Sequence, residues 1–480
     1  MKRKVWTLLG LLVVATMIMA TGCAPKTTPA PTEQAEQPTA QPEQPTTPPE
    51  PPAGEPVKVT ILVGFGTGDA PDQITAHEEI AQEFNDTHED IQVEFLTVPH
   101  DEYQAKFSTM LAGDLAPDLV MPTGVAGVAE FFDEWLDITP YIEQDNYDLS
   151  DFYGPTVDLH TYPDKMVGLP MGVYPSVIFY NEDLFDAAGV DYPPQEFGDP
   201  DWTYAKLTEI GRELTLDANG NNADSPDFDP ENIVQWAYDA SWQEFRCFPP
   251  KFGGDTLGMS ADYKTAEMNS APWVEAMQWV ADRIWKDHIT ASDEQSGAFY
   301  DAADDPFSSG MLGMWESHSW MAYAFDGWND AFNWNVAAIP AGPHGDLVAS
   351  IDADTFAIPQ SSKHPDEAWE VAKWMAQPDI MLRLTKIWGS LPARKSISDK
   401  WMEDMQASYP DVNFQLFLDS IDYLDAPNNE AWVPSYGKVN DAVENARALV
   451  LTGENTNVQE VMDDLNAEVQ GYLDEYWAAQ

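Results

Sequence analysis

The chain of 480 residues is poor in cysteine and in positive charge: it has two cysteines, and 23 lysines and arginines against 82 aspartates and glutamates. Two cysteines cannot build the disulfide framework of a small secreted scaffold, so folding must rest on a buried apolar core. The shortage of base leaves a formal net charge of −59. That excludes general attraction to nucleic acid, to polyphosphate or to an anionic lipid surface. The eight histidines form no HExxH pair or other metal-ligand cluster, and neither GxxxxGK[ST] nor a GxSxG nucleophile elbow occurs. Gly64-Phe65-Gly66-Thr67-Gly68 has neither the spacing nor the following helix of a dinucleotide fingerprint. His318, between Ser317 and Ser319, has no triad motif around it. No metal, cofactor or catalytic residue is therefore expected.

What is present begins with a basic tip, Lys2-Arg3-Lys4, followed by a largely apolar run from Val5 to Ala20 and then Thr21-Gly22-Cys23. A basic tip and an apolar run of this length predict a secretory signal over 1–22, with an uncleaved anchor as the alternative. The segment resembles a bacterial lipoprotein signal, in which the cysteine after the small residues is lipidated and becomes the mature N-terminus. Ala20 departs from that pattern, which more often has Leu there. With Cys23 carrying lipid, Cys247 has no partner and reads as a small buried residue. The Pro/Thr/Gln/Glu tract that completes 23–56 has no apolar periodicity and reads as a disordered linker.

From Val57 the pattern becomes α/β. The run 57–65 reads as a strand, and Thr75 with Glu78 reads as a capping box for a helix carrying Ile80, Ala81 and Phe84. Ile91 to Phe95 alternates as a strand, Tyr103 to Leu111 is helical, and Pro117 to Met121 is a short buried strand. This order favours a parallel sheet covered on both faces. Further strands are expected at 176–180, 335–339 and 355–358, and helices at 182–188, 203–214, 272–284 and 366–376. A last helix is expected behind an Asn457/Glu460 capping box. Asp217-Ala218-Asn219-Gly220-Asn221 has alternate oxygen ligands, but its glycine and its missing closing Glu favour a surface turn over a calcium loop.

Carboxylates are too abundant to single out a glycosidase pair. The tryptophans are more selective. Trp315, Trp320, Trp388 and Trp432 lie among Gly, Pro and polar residues rather than in helical stripes. A flat ring beside hydroxyls and carboxylates suits a sugar, and closure of small satellite cores is the competing reading.

Several ordered segments then carry a resemblance: Gly113-Asp114-Leu115-Ala116-Pro117-Asp118-Leu119-Val120, Gly168-Leu169-Pro170 leading to Phe179-Tyr180-Asn181-Glu182-Asp183-Leu184-Phe185, Asp201-Trp202-Thr203, and Phe307 to Trp320. Ile339-Pro340-Ala341-Gly342 and Gly389-Ser390-Leu391-Pro392-Ala393-Arg394 complete the set. Over 57–480 the chain resembles the extracellular solute-binding proteins of carbohydrate ABC importers, the group that includes maltose-binding protein. The resemblance implies a two-lobed periplasmic-binding-protein fold with discontinuous lobes and an interlobe ligand cleft. Lobe 1 would be 57–175 plus 342–390 and lobe 2 would be 176–341 plus 391–480. It implies ligand contacts from Thr67 and Asp69 after the first strand, Thr123 and Gly124 after the third, and Tyr174 before the crossing strand. In the second lobe it implies Trp315, Glu316, Ser317, Trp320 and Trp432, to which the aromatic pattern adds Trp388. The chain departs from the maltose binder where Pro122-Thr123 replaces a stacking tryptophan and Tyr174 replaces a carboxylate.

The expected function is sugar binding, with an oligosaccharide as ligand and delivery to an ABC permease, by a monomer lipid-anchored on the outer face of the cytoplasmic membrane. No turnover is expected and no nucleic acid is a partner. Polyol, glycerol phosphate or peptide binding in the same fold is the alternative, with Arg394 and Lys395 as the nearest bases for a phosphate. A secreted glycoside hydrolase and a surface-coat protein are more distant alternatives. Replacing Cys23 with Ser should release the protein from membranes or block its processing, since two acyl chains suffice for stable anchoring where one is marginal. Cys23→Ser protein that still fractionates with membrane, cut at the same bond, would refute the lipid anchor.

Overall fold

In the computed structural model, residues 55–66, 68–162, 165–424 and 430–480 are described. The expected leader, Cys23, nearly all of the linker and Thr67 lie outside them. Ten strands occur in the described residues: β1 (Val57–Val63), β2 (Ile91–Thr97), β3 (Leu119–Thr123), β4 (Gly168–Asn181), β5 (Leu216–Asp217), β6 (Ile233–Asp239), β7 (Leu312–His318), β8 (Trp334–Ala337), β9 (Ile351–Ala357) and β10 (Leu391–Pro392). Their order is β2-β1-β3-β9-β4-β7-β6-β5, with β8 and β10 also on β4.

Side chains on β1 alternate between two cores. Val59, Ile61 and Val63 pack with Ile80, Phe84, Trp369 and Leu384, while Leu62 packs with Phe107, Val128 and Trp135. Both faces are therefore covered, as the near-continuous apolar strands require. β1 runs parallel to β2 and β3, joined through the helices Pro71–Thr87 and Tyr103–Ala112. The parallel arrangement expected of the first three strands is present, and beyond β3 the sheet becomes mixed. The pairs β3–β9, β9–β4 and β4–β7 are antiparallel, because β9 and β4 carry the chain in opposite directions across the middle of the sheet.

β4 is the shared element. It is 14 residues long and buried along its whole length, far longer than the expected 176–180. Its first half, Gly168 to Pro175, pairs β9; its second half, Ser176 to Asn181, pairs β7 and β8. Leu169 and Met171 belong to the core built on β1, whereas Val173 and Val177 to Tyr180 belong to a second, larger core with β6, β7 and β8.

Local signals mostly placed helix ends well. Asn181 Oδ1 accepts from the Leu184 N–H at 3.2 Å, opening Glu182–Ala188, and Gly189 closes it at φ 70°, where a Cβ would be strained. One boundary and one cap differ. The first helix starts at Pro71, a turn before Thr75, with the Ala70 N–H bonded to Gln73; Thr75 Oγ1 donates back to the Pro71 carbonyl. In the last helix, Val458–Ala479, Asn457 Nδ2 donates to Glu460, so this side chain caps no backbone N–H.

The second core encloses a charge. Glu316 on β7 pairs with Lys251, both fully buried, and its other oxygen accepts from Tyr238 at 2.7 Å and Tyr204 at 3.1 Å. Glu316 is therefore a structural group of the second lobe. Lys251→Met should destabilise the protein by about 3–5 kcal/mol, the cost of leaving one buried charge without its counter-ion. Urea unfolding of the variant measures this, and a loss below about 1 kcal/mol would show that the pair is not what satisfies Glu316.

Candidate functional site: a cleft at the strand crossing

A cleft of about 1260 Å³ opens where β4 and β9 pass between the two cores. Tyr174 on β4 faces Asp352 and lies one step from Asp354 in the β4–β9 register. The Tyr174 hydroxyl donates to Asp354 Oδ2 at 2.5 Å. Gly124, after β3, stands beside both carboxylates: a Cβ there would lie 3.5 Å from Asp354 Oδ1 and 3.7 Å from Asp352 Oδ1. Glu430 reaches the same place from the second lobe and hydrogen-bonds Asp352.

Three carboxyls so close, and recessed from water, disfavour full ionisation. Burial, then the neighbouring Asp352 charge, pushes Asp354 up to about 7, against the Tyr174 hydrogen bond. Burial pushes Asp352 up to about 6, opposed by the Ala353 and Val125 N–H groups. Burial and the Asp352 and Glu244 charges hold Glu430 well above the usual carboxylate range. At neutral pH the group holds carboxyl protons, and can both donate and accept.

Aromatic rings complete the walls. Trp320 lies 5.7 Å from the Tyr174 ring, and its indole stacks on the His318 imidazole at 4.0 Å. Burial, then the Lys251 charge, pushes His318 down to about 3, so this backing ring is neutral. Trp388 packs against the loop after β1. A Cβ on Gly68 would fall 2.1 Å from the Trp388 ring, and Gly68 has φ 121°, so glycine is required there on both counts. The loop brings Gly66 and Asp69 to the cleft. The cations of the cleft, Arg383 and Lys386, are paired outward with Glu83 and Asp404.

The structure thus gathers Asp69, Gly124, Tyr174, Trp320 and Trp388 along one cleft and places the other sequence candidates elsewhere. Thr123 is buried, with its hydroxyl on the Val120 carbonyl. Trp315 is in the second core, stacked near Phe307, and Ser317 beside it on β7 is buried too. Trp432 stacks on Phe132, a first-lobe residue, at 4.7 Å. Arg394 lies over Phe152 and bonds Asp151, Tyr147 and the Ala376 carbonyl, away from the cleft. Cys247 is buried, and the Asp217 carboxylate is spent on its own turn, accepting from Asn219, Asn221 and Asp229. Sequence reasoning missed Asp352, Asp354 and Glu430. The signal for the first two was available: acidic residues at alternate positions of Ile351-Asp352-Ala353-Asp354-Thr355-Phe356, facing one way from a strand otherwise made for a core.

Two lobes, shared crossing strands and a cleft at the crossing define a two-lobed solute-binding protein. The sequence profile of the bacterial extracellular solute-binding protein family matches residues 68–381, and the chain belongs to that family. A putative binding protein of Brucella abortus (strain 2308) is 25% identical over 326 residues, covering 66% of this chain and 72% of that one. An uncharacterised lipoprotein of Streptomyces antibioticus is 23% identical, over 65% of this chain and 66% of its own length. The fold matches an ABC substrate-binding protein from Listeria monocytogenes in complex with cycloalternan, with TM-score 0.70 and 21% identity over 87% of this chain and 99% of that one. It also matches a cyclic alpha-maltosyl-1,6-maltose binding protein from Arthrobacter globiformis, with TM-score 0.68 and 20% identity over 88% and 100%.

The raised carboxyls make stability depend on pH with a definite sign. A carboxyl whose folded pKa is raised favours the folded state fully only below its unfolded value near 4, and its ionised form opposes folding above about 7. Asp354→Asn removes that penalty. The melting temperature of the variant minus that of wild type should rise as pH goes from about 4 to about 7; a difference constant over that window would contradict the raised pKa.

Proposed function

We propose that the chain is an exported, lipid-anchored carbohydrate-binding protein that takes an oligosaccharide into the interlobe cleft and hands it to an ABC permease without chemical turnover. The observation that carries this reading is the meeting, at one crossing of strands, of aromatic faces with carboxyls that can both donate and accept. A pyranose has apolar C–H faces and a rim of hydroxyls. Trp320 offers flat apolar surface, with Trp388 buried in the wall behind Gly68, while Asp69, Asp352, Asp354, Glu430 and the Tyr174 hydroxyl offer hydrogen bonds around it. Among the remaining sequence candidates, the Trp432 ring is already occupied by Phe132 and is assigned to lobe contact instead.

A phosphate-bearing solute fits less well, because Arg394 is engaged elsewhere and the cleft's own bases are paired with surface acids. A neutral polyhydroxy ligand can bond the carboxyls whatever their protonation, which a dianion cannot. The solved sugar binders of the same fold, among them proteins with maltose or mannobiose bound, support the same class of ligand.

A thermal-shift screen of the purified protein against mono- and oligosaccharides tests the reading, because a ligand that binds only the folded state must raise its melting temperature. For a sugar found this way, Trp320→Ala should weaken binding by roughly thirtyfold, the scale of a truncated anchor. Calorimetry with free-state melting measured alongside separates lost stacking from lost folding. Wild-type affinity in a destabilised Trp320→Ala protein would remove Trp320 from the site, and reducing sugar released on incubation would replace binding with hydrolysis.

A further inference from the structure

Among the described residues, six acidic side chains line the cleft. Asp69, Asp72 and Glu79 are exposed on the first lobe, while Asp352, Asp354 and Glu430 are recessed at the strand crossing. The basic side chains of the cleft do not answer them. Arg383 pairs with Glu83, Lys386 pairs with Asp404, and the His100 imidazole bonds the Gly64 carbonyl at 3.1 Å. Arg246, buried near Glu430, donates to the Ala431 and Thr256 carbonyls.

An acidic composition accounts for the exposed carboxylates but not for the pair on β9. Asp352 and Asp354 are two residues apart in a strand, so their side chains leave the same face. Gly124 has no side chain to close the approach, and a Cβ there would lie within 3.7 Å of one oxygen of each. Among the described residues, these two carboxyls bond the Tyr174 hydroxyl, backbone N–H groups and Glu430, and neither has a basic side chain as partner. The second core treats a buried carboxylate differently, meeting Glu316 with Lys251.

Like charges recessed between low-dielectric walls focus a negative potential into the space before them, and that potential draws a cation. An ammonium carries three N–H donors and no acceptor, which suits carboxyls converging from β9 and the second lobe. Protons held by these carboxyls offset part of their charge, and a bound ammonium takes over that task. The Trp320 and Tyr174 rings, 5.7 Å apart beside the carboxyls, offer faces that attract a cation as well as the C–H face of a sugar.

We propose that the solute is an amino sugar, a saccharide bearing a protonated amine, held with its ammonium among Asp352, Asp354 and Glu430 and its ring against Trp320. This names the ligand class within the carbohydrate reading of the cleft and rests on that reading. A hydroxyl in place of the ammonium keeps hydrogen bonds but forgoes the attraction of opposite charges.

Calorimetric titration of the purified full chain at about pH 6, where such an amine is protonated, tests the assignment with sugars that differ only at C2. The pairs are glucosamine and glucose, galactosamine and galactose, mannosamine and mannose, and chitosan tetraose and cellotetraose, with maltotetraose as a further neutral sugar. In the pair that binds, the amine should bind at least about tenfold more tightly than its hydroxyl counterpart. Raising salt from about 0.05 M to about 0.5 M should weaken the amine roughly fivefold and the neutral sugar less than about twofold. Asp354→Asn keeps the shape and removes the charge, and should cut the preference for the amine to below about threefold. Asp352→Asn should act in the same direction, with free-state melting measured for both variants. A neutral sugar that binds as tightly as its amine, binding of maltotetraose alone, or a preference unchanged in both variants overturns the amine site and leaves sugar binding standing. Spermidine bound more tightly than every sugar overturns the carbohydrate reading along with the proposal, as does binding of no member of the set.

Discussion

The cleft exists because one strand serves two cores. β4 hydrogen-bonds β9 with its first half and β7 and β8 with its second, and it is buried throughout. No polar group can be left without a partner along such a strand, so the two lobes share one continuous ladder at the crossing. That ladder holds Tyr174 against Asp354 and sets Asp352 beside it. Asp352 and Asp354 are therefore placed by the backbone of β9 itself. A site built on strands in this way is more exact than one built on turns.

Charge is distributed on the same logic. The chain is strongly acidic, yet its few bases are placed where they neutralise particular acids. Lys251 answers Glu316 in the second core, Arg394 answers Asp151 on the first lobe, and Arg383 and Lys386 answer Glu83 and Asp404 at the cleft edge. The carboxyls at the crossing are treated differently. Burial raises their affinity for protons, and a carboxyl that keeps its proton can bond a neutral hydroxyl as donor or acceptor.

Much of this was legible in the sequence wherever the signal was local. Asn181 and Gly189 bracket a helix with residues whose chemistry admits little else, and Pro272 opens Ala271–Trp285 in its first turn. What failed needed partners distant in sequence. Thr75 has the chemistry of a cap but lies inside a helix begun by Pro71. The direction of β9 relative to β3 depends on a strand more than 200 residues away, so a run of βα units read in order could not disclose the antiparallel centre of the sheet. Tryptophans flanked by polar residues divided for the same reason. Trp320 and Trp388 reach the cleft, whereas Trp315, only five residues before Trp320, faces inward from β7 into a cluster with Phe307 and Trp328. Trp315 lies inside β7, whereas Trp320 lies in the turn Ser319–Ala324 beyond its end, a difference of position that composition does not carry.

The stack of Trp432 on Phe132 joins the lobes without any ligand, and Lys165 covers the same Phe132 ring at 4.0 Å. Were the two lobes to open and close about their shared strand, a contact of this kind would favour the shut form. Each shift toward the shut form raises apparent affinity in proportion to the competent fraction, and slows the escape of whatever has been caught. A scavenger working at scarce supply gains from the first effect. A courier that must unload at every turn is held back by the second. In that case the face of one indole ring would bear on how long a bound ligand stays.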